Sequence, residues 1–461
     1  MTKFKRVFIA NRGEIAVRVI KACEEAGLET VVGVSEADTD SLAAKLATRA
    51  VCIGPAPSGA SYLDIDTVIT AALGTGCEAL HPGYGFLAEN ADLSAACAEH
   101  RITFVGPDAE TIRSLGDKVS ARSLAEKAGV PVVPGRDDLS SFEDALAAAE
   151  ETGFPVLLKA AKGGGGRGMQ VVEEAGKLKS AYDTAKAEAR AAFGDDTLYM
   201  ERFVRLARHV EVQVLGDRHG NVIHLGERDC TLQRRHQKIL EEGPATDVPA
   251  ERIEEMRRAA VDLAKSVGYE GAGTVEFIYD RELGTFYFLE VNTRIQVEHP
   301  VTEMLTGVDL VLEQLRIAAG ETLSLRQEDI SLTGHVIECR INAESAAEGF
   351  RPSPGEITEW SVPEGEGIRL DTHCYKGYVV PPHYDSMLAK LIVSGDDRAD
   401  AIGRMREALA GFGLEGVDNT IPFLEALLER PEVQLDEIST RWVETVLEDP
   451  AFRERLEGGR R

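Results

Sequence analysis

Short apolar runs alternate with amphipathic stretches at the start of the chain. Residues 6–10 are mostly apolar, Ile15, Val19, Ile20 and Cys23 recur at helical spacing, and residues 30–35 (TVVGVS) form a second apolar run. The order strand, helix, strand predicts a βαβ unit, and hence a parallel sheet with helices on both faces. Gly13 falls in the first strand-to-helix turn, which lacks G-x-G-x-x-G and so carries no dinucleotide fingerprint. His81-Pro82-Gly83-Tyr84-Gly85-Phe86 marks a tight loop after another apolar segment, where open α/β sheets collect ligands. A plain structural turn is the alternative. Residues 106–132 read as a helical connector between Gly106-Pro107 and Val130-Pro131. A small domain over 133–203 and a larger α+β domain from 204 onward follow. The charged, glycine-containing stretch 454–461 reads as a frayed end.

Composition narrows the class. Of 461 residues, 43% are hydrophobic and 28% charged, as in ordinary globular proteins. No run of about 18 apolar residues exists, so no membrane span is expected. The N-terminus MTKFKRVFIANRGE lacks the apolar core and cleavage site of a secretory signal. Seven cysteines, at 23, 52, 77, 97, 230, 339 and 374, form no C-x-x-C pair. That disfavours zinc and fits buried thiols in a reducing cytoplasm. A net charge of −27 repels nucleic acid and anionic lipid. Any bound phosphate must be held by local cations and backbone amides.

Four clusters carry chemistry. Gly163, Gly164, Gly165, Gly166 and Gly168, flanked by Lys159, Lys162 and Arg167, suit a phosphate-covering loop, although no Walker A pattern is present. Glycine runs also serve as flexible turns. Residues 273–279 (GTVEFIY) and 285–291 (TFYFLEV) predict a hairpin. Pairing Tyr279 with Thr285 places Glu276 and Glu290 on one face, diagonal to each other, where one or two Mg²⁺ ions fit. From Glu290, the residues Asn292, Arg294, Gln296 and Glu298 fall at every second position, so an extended segment would line one face with them. An exposed polar strand face is the alternative. Residues 227–238 (ERDCTLQRRHQK) suit an anion beside a nucleotide, or form a charged loop. In residues 335–340 (HVIECR), Glu338 and Arg340 share a face, and an inward ion pair is the simple reading.

Together these residues resemble biotin carboxylase. The resemblance is carried by Gly83-Tyr84-Gly85-Phe86 with Glu89-Asn90, Gly116-Asp117-Lys118, residues 159–169, residues 228–238, NTRIQVEHPVT at 292–302, ECRIN at 338–342 and PSPG at 352–355. It spans nearly the whole chain. It implies an ATP-grasp fold of mixed α/β and α+β class: an N-terminal α/β domain (1–105), the connector (106–132), a mobile lid (133–203), a core (204–334), a C-terminal domain (335–448) and a tail (449–461). By resemblance, Lys118, Lys159, Gly164, Gly165 and Gly166 meet phosphates. Glu201, Val204, His209, Gln233, His236 and Ile278 line the nucleotide pocket. Glu276, Glu290 and Asn292 hold two Mg²⁺ or Mn²⁺ ions. Lys238, Arg294, Gln296 and Val297 hold bicarbonate, Glu298 is the general base, and Tyr84 and Arg340 meet biotin. Arg18 and Asp385 match positions near the biotin site and dimer interface. The departures are mild: Arg202, Val204 and Thr231 stand where Lys, Leu and Ser are familiar.

The implied reaction phosphorylates bicarbonate with ATP to carboxyphosphate and carboxylates biotin as substrate. No methionine is followed by lysine, so no biotin-bearing motif of the usual kind is present. A separate biotin carboxyl carrier protein, a separate carboxyltransferase subunit and a homodimer are expected. Another ATP-grasp carboxylate–amine ligase and a non-catalytic ATP-binding regulatory subunit are the competing readings.

Overall fold

A computed structural model describes residues 3–160 and 169–458. The glycine-rich loop, including Gly164, Gly165 and Gly166, lies outside the described residues.

The βαβ pattern is realised. Strands β1 (Arg6–Ile9), β2 (Glu29–Val34), β3 (Arg49–Cys52), β4 (Ala79–His81) and β5 (Thr103–Phe104) form a parallel sheet in the order β3-β2-β1-β4-β5. Helix Gly13–Glu25 buries Ile15, Val19, Ile20 and Cys23, the residues its spacing selected. The His81–Phe86 loop leaves the C-terminal end of β4. Gly83 there has φ +63°, and a Cβ would come 3.0 Å from the Asn11 amide, which donates to the Pro82 and Tyr84 carbonyls. Glycine is needed at that turn both for its backbone angle and for its lack of side chain.

The connector forms helices Ala109–Gly116 and Lys118–Lys127. Asp117 caps the second by accepting from the Ser120 amide, which fixes Lys118 in its first turn. A small antiparallel sheet follows, β6 (Gly135–Arg136), β7 (Val156–Ala160), β8 (Met169–Val172) and β9 (Leu198–Arg202), in the order β6-β9-β7-β8. Alternation on β7 buries Val156, Leu158 and Ala160 and turns Leu157 and Lys159 to the other face.

The largest sheet is antiparallel and eight-stranded. Its strands are β10 (Ala207–Gly216), β11 (Val222–Arg234), β12 (Gln237–Gly243), β13 (Gly271–Asp280), β14 (Thr285–Asn292), β15 (His335–Asn342), β16 (Ile368–Thr372) and β17 (Met387–Gly395). Their order is β14-β13-β10-β11-β12-β15-β17-β16. One ladder therefore runs from the metal-candidate hairpin to the C-terminal part of the chain. Val210, Val212 and Val214 on β10 pack into one core with helix Ala250–Ser266. Ile337, Cys339, Leu391 and Val393 pack into another. The opposite face carries the charges.

The end of the chain corrects the sequence reading. Of the stretch 454–461 expected to fray, residues 454–458 lie in helix Pro450–Gly458, whose Phe452 and Leu456 join the C-terminal core, and residues 459–461 lie outside the described residues. Two apolar residues four apart are enough to dock one helical face. Six cysteines are buried free thiols and Cys52 is exposed. Among the described residues, no helix is long and apolar enough to cross a membrane.

Candidate active site

The strand β10 alternates His209, Glu211 and Gln213 with three valines. With the valines in the core, the polar set must face the other way. Register does the rest. Glu290 on β14 stands opposite Glu276 on β13, Glu276 opposite Glu211 on β10, and Glu211 opposite Arg228 on β11. Four charged residues thus form one row across four strands.

This geometry corrects the expected hairpin register. Asp280 closes the hairpin with Thr285, one residue off the assumed pairing. That register alone would have turned Glu290 away from Glu276. A bulge between Glu276 and Phe277 supplies an extra residue, Leu289, and flips the side chains that follow it. The two glutamates are therefore directly opposed rather than diagonal.

The 290–298 strip is also corrected. β14 ends at Asn292, and the chain then turns into helix His299–Thr306 with Glu298 at its N-cap position. The Glu298 carbonyl accepts from the Val301 amide, and Pro300 stands in the first turn of the helix, where its missing N–H costs nothing. Asn292, Gln296 and Glu298 are buried together because the backbone turns, not because a pleat alternates. Residues 227–238, read as loop or anion site, are a hairpin of β11 and β12 whose turn residues Arg235 and His236 have φ of 50° and 66°.

A cavity of about 670 Å³ opens between this wall and the four-stranded sheet. Lys118, Lys159, Glu201, Val204, Gln233, His236 and Ile278 line its outer part. Lys159 pairs with Glu201, placed diagonally across β7 and β9. Gln233 hydrogen-bonds His209 Nδ1 at 2.8 Å. His209 Nε2 lies 2.9 Å from Glu276.

Lys238 stands at the centre. Its Nζ is 2.5 Å from Glu211, 2.5 Å from Glu298, 3.1 Å from Glu276 and 3.4 Å from Gln296 Oε1. Asn292 and Gln296 donate to Glu276 at 2.8 and 2.9 Å. Arg294 donates to Asn292 Oδ1 at 2.9 Å and to Glu89 at 3.0 Å. Arg340 donates to Glu241 at 2.6 Å and to Glu298 at 3.0 Å. It does not pair with Glu338, correcting the simple reading of HVIECR. Glu338 instead stands opposite Glu241, and neither of its oxygens has a partner among the described residues. The partners across the sheet and on the 293–298 turn outcompete a neighbour two residues along the same strand.

Electrostatics follow from this packing. Burial alone would push Glu298 up, but Lys238, Arg340 and Arg228 outweigh it and hold the carboxyl well below the usual range. Glu276 is also held low against burial, by Lys238 and His209. Glu290 goes the other way: burial and the charge of Glu276 raise it. Burial, only partly offset by Arg340, pushes Glu241 to about 7.

Two directly opposed carboxylates, of which the ionised Glu276 raises the proton affinity of Glu290, form with the Asn292 amide oxygen a hard oxygen set that a divalent cation would relieve. His209, Glu211 and Glu276 also bring ligand atoms within 4.8 Å of one another. The residues present fit Mg²⁺ or Mn²⁺.

Tyr84 does not line the large cavity. Its hydroxyl donates to Glu14, while burial and Glu14 raise its pKa well above the ordinary value. Arg18 is buried against Glu303 and Asp309 at 2.9 and 2.7 Å. Asp385 lines a second concavity of about 90 Å³ shared by Lys238 and Arg340. The sequence reading includes Glu89 only among the residues that carry the resemblance, and gives no role to Glu211, Glu241, Lys390 or Glu14. For Glu211 a signal existed, the alternation HVEVQV. The others depend on pairings distant in sequence.

Comparison with known proteins gives three family matches. Residues 3–112 match "Biotin carboxylase, N-terminal domain", residues 117–326 "Carbamoyl-phosphate synthase L chain, ATP binding domain", and residues 338–445 "Biotin carboxylase C-terminal domain". The chain is 51% identical over 442 residues to biotin carboxylase 1 of Bacillus subtilis, covering 96% of this chain and 98% of that one. It is 51% identical over 445 residues to biotin carboxylase of Haemophilus influenzae, covering 96% and 99%. The solved biotin carboxylase–β,γ-ATP complex of Campylobacter jejuni superposes with a TM-score of 0.91 at 46% identity, covering 96% of this chain and 99% of that one. The biotin carboxylase domain dimer of Hydrogenobacter thermophilus 2-oxoglutarate carboxylase, bound to MgADP, ADP and bicarbonate, gives 0.91 at 46%, covering 98% and 99%.

Proposed function

The chain belongs to the biotin carboxylase family, and from that premise we propose how its residues use ATP to activate bicarbonate and carboxylate biotin. The observation that carries the reading is Lys238, one ammonium between the candidate base Glu298 and the candidate metal ligand Glu276.

Bicarbonate is a weak nucleophile, and it must approach a polyanion inside a chain of net charge −27. Lys238 and Arg294 supply the local positive charge that the whole molecule lacks. Gln296 and the backbone at Val297 complete the anion seat. Glu298 is ionised across the physiological range, as a proton acceptor must be, and its contacts to Lys238 and Arg340 fix its direction. It takes the bicarbonate proton as the bicarbonate oxygen attacks the γ-phosphorus of ATP. Lys118 and Lys159 hold phosphates, and Glu201, Val204, His209, Gln233, His236 and Ile278 seat the nucleotide. Glu276, Glu290 and Asn292 would hold Mg²⁺ or Mn²⁺, which neutralises charge on the transferring phosphoryl group. The four-stranded sheet, with residues 133–203, acts as the cover that excludes water from carboxyphosphate.

Carboxyphosphate then yields CO₂ and phosphate. The phosphate takes the proton from the biotin ureido nitrogen, and that nitrogen attacks CO₂. Arg340 stabilises the enolate oxygen that develops on the ureido group. Tyr84 forms part of the biotin pocket. A separate biotin carboxyl carrier protein presents the biotin, a carboxyltransferase subunit receives the product, and the chain works as a homodimer.

Bicarbonate-dependent ADP release, stimulated by free biotin, tests this reading. A carboxylate–amine ligase would instead release ADP only with an amine acceptor, and a regulatory subunit would release none.

A further inference from the structure

The charged face of the eight-stranded sheet extends past the residues assigned above. Lys390 on β17 is fully buried. It stands directly opposite Arg340 on β15 and Asp371 on β16, so all three share one face. Its ammonium donates to the Val297 carbonyl at 2.8 Å and lies 3.1 Å from Glu14 Oε1 and 3.8 Å from Asp371 Oδ2. Glu14, on helix Gly13–Glu25, is buried too. Its Oε1 also accepts from the Tyr84 hydroxyl, and its Oε2 has no partner among the described residues. Asp371 is gripped by Arg369 through bonds of 2.9 and 2.7 Å.

A buried ammonium that served packing alone would be better replaced by an apolar side chain of the same length. This one makes a directed bond. Its acceptor is the main-chain carbonyl immediately before Glu298, in a segment where β14 has ended and the helix has not begun. Burial favours the neutral amine, yet Glu14, Glu338 and Asp371 outweigh it and keep Lys390 charged. The bond to Val297 is therefore charge-assisted.

We propose that Lys390 is a positioning residue for the carboxylation proposed above, on which this inference rests: it holds the Val297–Glu298 turn so that the base and the Val297 backbone face the bicarbonate seat. Through Glu14 it also ties that turn to Tyr84, so the two substrate regions share one hydrogen-bonded line.

The test uses the full chain and steady-state ADP release. In wild type, bicarbonate-dependent release is measured first; its absence overturns the carboxylase reading itself, whatever Lys390 does. In Lys390→Met, the KM for bicarbonate is expected to rise about tenfold while the KM for MgATP holds, because the nucleotide residues lie on other strands. An unchanged bicarbonate KM overturns the proposal. The double variant Glu14→Gln/Lys390→Met removes both charges. It is expected to recover Tm without recovering the bicarbonate KM. Recovery of both would make Lys390 a charge balance only and overturn the proposal. If neither variant at 390 folds, Tyr84→Phe removes the donor to Glu14 and leaves Lys390 in place. There the bicarbonate KM is expected to rise about two- to threefold, and no change overturns the proposal.

Discussion

Replacing Lys238 with methionine keeps the length of the side chain and removes its charge from among three carboxylates. Glu211 and Glu298, each 2.5 Å from the ammonium, and Glu276 at 3.1 Å would all lose it. Arg228 still serves Glu211, and Arg340 still serves Glu298. Breaking a buried pair by deleting one partner costs about 3–5 kcal/mol. The remaining arginines place this variant near the lower figure, still a large share of a typical stability of about 5–15 kcal/mol. The loss is pH-dependent, with a definite sign. Glu276 and Glu298 are held low chiefly by Lys238 against burial, and burial already raises Glu211. Without the ammonium, the folded pKa of each of the three carboxyls is higher than in wild type, and Glu211, already raised, moves further above its unfolded value. Such a group stabilises the fold at acid pH, and that stability is lost as pH rises through the folded pKa. The Tm gap between wild type and Lys238→Met is therefore expected to narrow from pH 8 to pH 5.5, by scanning calorimetry at fixed ionic strength. Bicarbonate-dependent ADP release should fall at least about 10²-fold. A gap equal at both pH values, or a wider one in acid, would refute the charge assignment.

Arg340→Ala should cut biotin carboxylation about 10²-fold or more, equivalent to losing one electrostatic donor, with nucleotide affinity retained by calorimetric titration. Glu276→Gln should weaken Mg²⁺ binding, so that half-maximal ADP release needs about tenfold more Mg²⁺, and chelation should abolish release in wild type. Arg208→Met, on the face of β10 turned away from the cavity, takes the guanidinium 2.7 Å from both Asp229 and Asp436 away from them. It should lose about 3 kcal/mol in urea unfolding while leaving KM values unchanged in the folded fraction.

The elements were legible where burial imposes a period. Helix Gly13–Glu25 and the strands around Glu276 and Glu290 follow directly from apolar spacing. What the spacing missed was decided by pairing. The bulge at Leu289 exists because two strands meet with unequal counts, and neither strand alone carries that information. The 293–298 turn defeated a period-2 reading because polar residues can converge by bending as well as by alternating. Glu241 and Lys390 sit on strands far from the cluster in sequence, and their roles arise only from neighbours across the ladder. Tyr84 was named for its motif, yet its hydroxyl is directed at Glu14.

The eight strands from Glu290 to Asp371 are one hydrogen-bonded wall, and the four-stranded sheet bearing Lys159 and Glu201 is a separate ladder. A compound anchored on the wall alone therefore takes all its contacts from one ladder. A compound that also grips Lys159 draws on two ladders and depends on the placement of both.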